Sequence, residues 1–316
     1  MLLTGDTPGV SKLLHLSGHM GKAPCRFCKI IGSQYKIAFK RKTGTTGEKL
    51  QYYYPFQTPT LFLDNFPPDR RLDYRSLPDF DLTELPFRHH EDFVVEINKD
   101  LTQAQQLAEI RDTGIKGCSP LAHLPTIALP ASCPVDIMHL VFLGLVRDLC
   151  ALLNGTYFKQ NELNLHAGRI TEMQWRELGV NMTNIECPTS WGRHPRNIER
   201  YIKLFKAEEL SNFLIRWSLP LLFKRVNNGT FKAWQSLVLA ISMAVAYEIR
   251  YNELELIERH LLIFLRWFYD TFYHREYDRL PSCKYTIHAL AHLVDGIRNW
   301  GSASYFWQFS QVCFSK

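Results

Sequence analysis

The sequence lacks any apolar run long enough to cross a membrane. Its most hydrophobic stretch, Trp234 to Tyr247, carries Gln235 and Ser236 and is closed by Lys232 and Glu248, short of the roughly 18 residues a spanning helix needs. It has little net charge, +6 from 37 Lys and Arg against 31 Asp and Glu, so charge alone identifies no anionic partner. Cysteine is sparse, eight in 316 residues, and no charged-then-apolar leader precedes the first of them. Both facts argue against a secreted disulfide scaffold and make reduced thiols the expectation. Internal repeats and low-complexity tracts are missing as well, which argues against a solenoid or a linker. With 46% hydrophobic and 22% charged residues, the chain has the composition of a globular protein rather than a disordered one.

What is present falls into two regimes. Residues 1–55 carry β signals and residues 134–300 carry helical ones, with a Pro-rich arm between them. Met1-Leu2-Leu3-Thr4 reads as a strand with no cap before it, as if a domain were cut in its middle. The turn Gly5-Asp6-Thr7-Pro8-Gly9 leads into an apolar run through Val10, Leu13, Leu14 and Leu16 that can open a short helix. Tyr35 to Phe39 and Lys49 to Tyr54 flank a Gly- and Thr-rich turn and read as a hairpin. Ten prolines between Pro55 and Pro134 break longer elements there, apart from a helix around 101–112. Val135, Met138, His139, Phe142, Val146, Leu149 and Leu153 recur at spacings of three and four, predicting a helix over 135–154 that stops at Gly155. Further helices are expected over 199–224 (broken near Pro220), 230–250, 253–274 and 284–299. Their aromatics, among them Trp217, Phe223, Trp234, Phe264, Trp267, Phe268 and Tyr269, read as core material.

The sharpest chemical signal is Cys25-Arg26-Phe27-Cys28. Two thiolates three positions apart on a knuckle can reach one tetrahedral Zn²⁺. His288 and His292, at i and i+4 of one helix, point two imidazoles the same way and can complete the site. The plainer readings are a buried Cys pair without metal and a His pair that hydrogen-bonds in the core. A redox role for the Cys pair would need a βαβ context that the sequence does not offer. Asp6 sits where a short strand can present a carboxylate, though an Asp before Thr-Pro is more commonly a turn former. Asp136 and His139, three apart at a helix start, share one face, and an Asp there also complements the helix dipole. Lys36, Lys40, Arg41, Lys42 and Lys49 make the hairpin basic, with Tyr35 and Tyr52 to Tyr54 beside them. That suits phosphate contacts, and equally a solvated edge whose lysines block aggregation.

The order of Gly5-Asp6-Thr7-Pro8-Gly9, then Cys25-x-x-Cys28, then Asp136-x-x-His139, resembles transposases of the CACTA/Tnp2 type. The resemblance implies an α/β, mostly α fold, with a partial RNase H-like core interrupted by a large α-helical insertion. Its segments would be a core with knuckle and basic hairpin (1–55), an irregular arm (56–133), a core helix (134–155), the insertion (156–280) and a terminal helix (281–316). It also implies that Asp6 is the second of three catalytic carboxylates, that Asp136 and His139 are a further family signature grouped with the catalytic residues, whether for the active site or only for the helix start, and that Cys25, Cys28, His288 and His292 share a structural zinc. In an intact member, Mg²⁺ or Mn²⁺ held by the carboxylates drives DNA cleavage and strand transfer. The first Asp has no counterpart here. The Glu expected after Trp307-Gln308-Phe309 is Val312 instead. The expectation is therefore an incomplete transposase, inactive alone, or a zinc-stabilised DNA- or protein-binding module derived from one. DNA is the implied partner, the nucleus the implied location, and homo-oligomer formation stays open.

Overall fold

Helices dominate the described residues, and their single sheet is a two-stranded antiparallel hairpin. The computed structural model describes residues 1–40, 44–60, 77–96, 98, 100–166 and 168–309. Two units emerge: Met1–Val135 with Tyr273–Asp295, and Asp136–Phe272 with Gly296–Lys316. No helix among the described residues is long and apolar enough to cross a membrane.

The first unit begins differently from the sequence expectation. Leu2 to Thr4 form no strand, because no neighbouring strand is there to pair with them. Leu3 N–H donates to the Ser132 carbonyl instead, and its side chain joins a cluster of Val10, Leu14, Leu16, Phe93, Ile127, Leu129 and Cys133. The short helix Thr7–Leu13 follows, with Pro8 in its first turn, where a missing N–H costs nothing. Strands β1 (Ser33–Lys40) and β2 (Thr46–Tyr53) pair in the register Ser33↔Tyr53 through Lys40↔Thr46. The hairpin packs through Tyr35, whose ring lies 5.0 Å from that of Tyr277 and 6.0 Å from that of Tyr53.

In the Pro-rich arm, the helix Gln103–Thr113 opens with a Thr102/Gln105 capping box and closes at Gly114. Gly114 is in the left-handed region at φ +77°, and its closeness to the knuckle demands glycine: a Cβ there would lie 1.9 Å from the Ala23 carbonyl oxygen.

The second unit is helical. Where the apolar spacing predicts one helix over 135–154, the chain forms a π-helix, Met138–Leu145, followed by the α-helix Val146–Leu153. The expected 199–224 element is a series of short pieces, Ile198–Tyr201, Ala207–Asn212 and Ser218–Leu222 among them. Pro220 belongs to the first turn of the last piece rather than breaking it. Asn228–Ala244 and Tyr251–Phe268 pack on each other and supply much of the core, including Trp234, Ile241, Ile257 and Phe264. Trp234 Nε1 donates to Ser218 Oγ at 2.8 Å, so a large apolar side chain is buried without leaving its one polar atom unpaired. A helix that the sequence reading passed over, Glu172–Thr183, carries its own Thr171/Gln174 capping box. Phe223 departs from the expectation of a core aromatic. It follows the end of Ser218–Leu222, is 55% exposed, and lies edge-on to Phe231.

Candidate metal centre

The knuckle at Cys25–Cys28 is shaped by hydrogen bonds that run outward from it. Lys29 N–H donates to the Pro86 carbonyl and Arg88 N–H to the Phe27 carbonyl, both at 2.8 Å, a one-residue antiparallel bridge that fixes Cys28 opposite Phe87. The Phe27 N–H donates to Cys25 Sγ at 3.4 Å. Two buried arginines complete the frame. Arg88 donates through Nε to the Cys25 carbonyl (2.9 Å) and through Nη2 to the Thr113 carbonyl (2.6 Å). Arg26 does the same for Cys133 and Pro134, at 2.8 Å each. The rigid guanidinium fork suits this task, since it can satisfy two carbonyls from one buried side chain.

The histidines come from the helix Tyr285–Ala289 and the 3₁₀ turn Leu290–His292 that continues it. Their spacing of four puts both rings on the face toward the knuckle. Just upstream, the Cys283 carbonyl accepts from Tyr54 N–H at 2.7 Å, tying this segment to the end of β2. Tyr54 is held in turn by its hydroxyl, whose one proton is shared between the Gly21 carbonyl at 2.7 Å and the His19 carbonyl at 2.9 Å.

Cys25, Cys28, His288 and His292 are all buried, and one ligand atom from each lies within 4.8 Å of the others. His288 Nε2 is 3.3 Å from Cys28 Sγ and 3.4 Å from His292 Nε2. A tetrahedral ion with bonds of about 2.0–2.1 Å to nitrogen and about 2.3 Å to sulfur needs donors about 3.3–3.8 Å apart. The spacing therefore fits a metal such as zinc. A His pair that merely bonds in the core would not also need two thiols pointed at the same spot. Aromatic rings close the surroundings: Phe27 stacks on His292 at 5.0 Å, Phe87 meets it edge-on at 5.8 Å, and Phe56 lies 5.2 Å from His288. Asp295 Oδ2 stands 3.9 Å from His292 Nδ1, on the side away from the cluster, where a carboxylate can orient a ligating imidazole.

Charge inside the cluster is uneven. Burial would raise the Cys25 thiol, but its hydrogen bond with Cys28 and the charges of His292 and His288 outweigh this and hold it well below the usual thiol range. Burial and the neighbouring Cys25 push Cys28 well above it. Burial also lowers His288. His292, despite burial, is raised to about 9 by Cys25 and Asp295. Without metal, these shifts favour a thiolate at Cys25 and an imidazolium at His292, and the neutral forms of Cys28 and His288.

Family models, curated proteins and solved structures offer no match to this chain. The site stands on its geometry alone.

The other residues singled out in the sequence are placed elsewhere. Asp6 caps the helix Thr7–Leu13, its Oδ1 accepting the Gly9 N–H at 2.7 Å. Asp136 and His139 belong to the second unit. There Asp136 Oδ2 meets His139 Nδ1 at 2.5 Å, while Oδ1 accepts the N–H groups of Met138 and Gln308, both at 3.1 Å. Asp136 is buried and ties the start of the π-helix to the Trp307-Gln308-Phe309 segment, where Phe309 also lies 5.9 Å from Phe142. Val312 lies outside the described residues.

Among the basic hairpin positions, Lys36 is paired with Glu48 at 2.6 Å, and strand alternation sets it on the opposite face from Lys49. Lys40 stands opposite Thr46, and Arg41 and Lys42 lie outside the described residues. Tyr53 and Tyr54 are buried in packing and do not present free rings for stacking. Sequence reasoning missed Arg88 and the aromatic enclosure, since nothing in an irregular Pro-rich arm marks one arginine as internal. Arg26 was visible inside the Cys-x-x-Cys motif, but its inward direction was not.

Arg88→Met keeps the volume and orphans the Cys25 and Thr113 carbonyls. It should lower the first unit's unfolding free energy by about 1–3 kcal/mol per carbonyl, read by urea titration of the purified chain. Arg88→Lys, which lacks the fork, should recover less than half of that loss. An unchanged midpoint for Arg88→Met would remove it from the frame of the site.

Proposed function

We propose that this chain is the catalytic-domain remainder of a CACTA/Tnp2-type DNA transposase, with a partial RNase H-like core and helical insertion, stapled by a structural zinc on Cys25, Cys28, His288 and His292. The observation that carries the reading is the meeting of the Cys pair with the His pair across 260 residues of sequence. The family resemblance calls for that pairing, and composition does not. A second contact supports it: Asp136 of the Asp-x-x-His element binds the Gln308 N–H of the Trp-x-Phe element, so two family motifs touch within one unit. Two thiolates and two imidazoles are a donor set suited to zinc and unsuited to Mg²⁺ or Mn²⁺, which take oxygen. The latter belong to the carboxylates of an intact member. DNA as partner and the nucleus as location follow from the family, and a homo-oligomer is compatible with it.

Catalysis is not assigned to these residues. Asp6 is the one family carboxylate matched, Val312 offers no oxygen, and a single carboxylate does not hold two divalent cations. The capping bond from Asp6 to Gly9 N–H favours the second reading, a zinc-stabilised DNA- or protein-binding module. That module should bind duplex DNA with an affinity that falls steeply with salt and should leave a supercoiled plasmid intact in Mg²⁺ or Mn²⁺. Metal-dependent nicking that disappears in Asp6→Asn would overturn it in favour of a working nuclease.

Two outcomes test the zinc staple. Elemental analysis of the purified chain should find one zinc per chain, lost together with thermal stability in both Cys25→Ser/Cys28→Ser and His288→Ala/His292→Ala. Zinc that survives the histidine double variant would sink the cross-chain site. Zinc uptake must also expel the protons held by Cys28 and His292, because only thiolates and neutral imidazoles ligate. Below about 9, the value of His292, rising pH therefore strengthens binding. Between pH 7 and 8 the apparent affinity should climb about 100-fold, with about two protons released per zinc. Competition with a chromophoric chelator measures the first and calorimetry in buffers of different ionisation enthalpy the second. A pH-independent affinity would contradict the thiolate–imidazolium assignment.

A further inference from the structure

Outside the metal cluster, the described cysteines differ sharply in setting. Cys133, Cys150 and Cys283 are fully buried, and burial pushes their thiols up, Cys133 to about 11. Cys187 is half-buried and makes no hydrogen bond to an imidazole among the described residues. Cys118 is also half-buried, but its Sγ lies 3.2 Å from Nε2 of the exposed His123. The two residues are five apart in the chain, and the turn between them is held by hydrogen bonds of Ser119. Ser119 caps the 3₁₀ helix Pro120–His123 by accepting the Leu121 N–H, and its hydroxyl donates to the Leu13 carbonyl at 3.0 Å. Cys118, Leu121 and Ile115 pack on the cluster built around Leu14 and Phe93. The thiol is thus anchored on the core side, with the imidazole over it on the solvent side.

We propose that Cys118 is a peroxide-sensitive modification site of this protein, with His123 as its base. A thiol and an imidazole within hydrogen-bond reach form the nucleophile–base arrangement that makes sulfur reactive. His123 Nε2 takes the S–H proton as Cys118 Sγ attacks one oxygen of hydrogen peroxide. The S–O bond forms and the O–O bond breaks. The departing hydroxide recovers the proton from His123 and leaves as water, so thiol and peroxide become sulfenic acid and water. Sulfur loses the two electrons that peroxide gains. The metal-cluster thiols and the three buried ones are out of reach of the oxidant, which leaves Cys187 as an internal reference of similar exposure.

The test uses the full chain in its native state at pH 7, exposed to hydrogen peroxide with dimedone as the sulfenic acid trap, and peptide mass spectrometry as readout. Cys118 should be labelled about tenfold or more faster than Cys187. His123→Gln should bring Cys118 down to the Cys187 rate without altering Cys187, and Cys118→Ser should abolish that label alone. Circular dichroism and zinc content, unchanged in both variants, establish that they are folded. Equal labelling of the two cysteines in the wild type, or a Cys118 rate indifferent to His123→Gln in a folded variant, would overturn the proposal.

Discussion

In the first unit four candidate donors converge from two distant chain segments, which the Tyr54–Cys283 backbone bond and the Tyr35–Tyr277 ring contact also hold together. Closing a loop of 260 residues costs on the order of 5 kcal/mol of chain entropy. A structural zinc on such donors supplies about 10–16 kcal/mol in small zinc-binding peptides at neutral pH. On the proposed occupancy, the ion outweighs the closure cost and leaves a surplus for ordering the knuckle. Without it, the surplus shrinks to one buried thiolate–imidazolium pair, and such a pair must first offset its own desolvation.

Around that centre the protein spends buried charge on backbone rather than on ion pairs. Arg26 and Arg88 are almost wholly buried, yet both direct their donors at carbonyls of the knuckle and its neighbours. A turn that must present two sulfurs inward has its carbonyls facing out of any ladder, and each unsatisfied one would be costly. The arginines settle that account where strands are missing. Together with the Phe27, Phe56 and Phe87 rings, they keep water from the sulfurs and the imidazoles.

The two aspartates named from sequence show how one residue type reads ambiguously. Asp6 is a helix cap, and Asp136 is a buried anchor for three groups: His139, Met138 N–H and Gln308 N–H. Each accepts hydrogen bonds from main-chain N–H groups, as carboxylates at helix starts commonly do. Nothing in the local sequence separates that use from catalysis. For Asp136, the contact to Gln308 spans 172 residues, which no local pattern could announce. The hairpin is a parallel case. Its basic residues were countable in the sequence, but the register divides Lys36 from Lys49 and engages Lys36 with Glu48.

The sequence by itself determined the helical character of the second half, the hairpin, and the two halves of the candidate metal centre, since each rests on short-range chemistry. Helical spacing carries the His288/His292 face, and a tight knuckle carries the Cys25/Cys28 pair. Tertiary structure decided that those halves meet, by bringing their ligand atoms within 4.8 Å in a buried cluster. It also decided that Leu2 to Thr4 form no strand, that Phe223 faces solvent, that Arg88 turns inward, and that Cys118 meets His123. Propensity and spacing act over one or two turns of chain. Burial, partner choice and protonation depend on which distant atoms finally arrive.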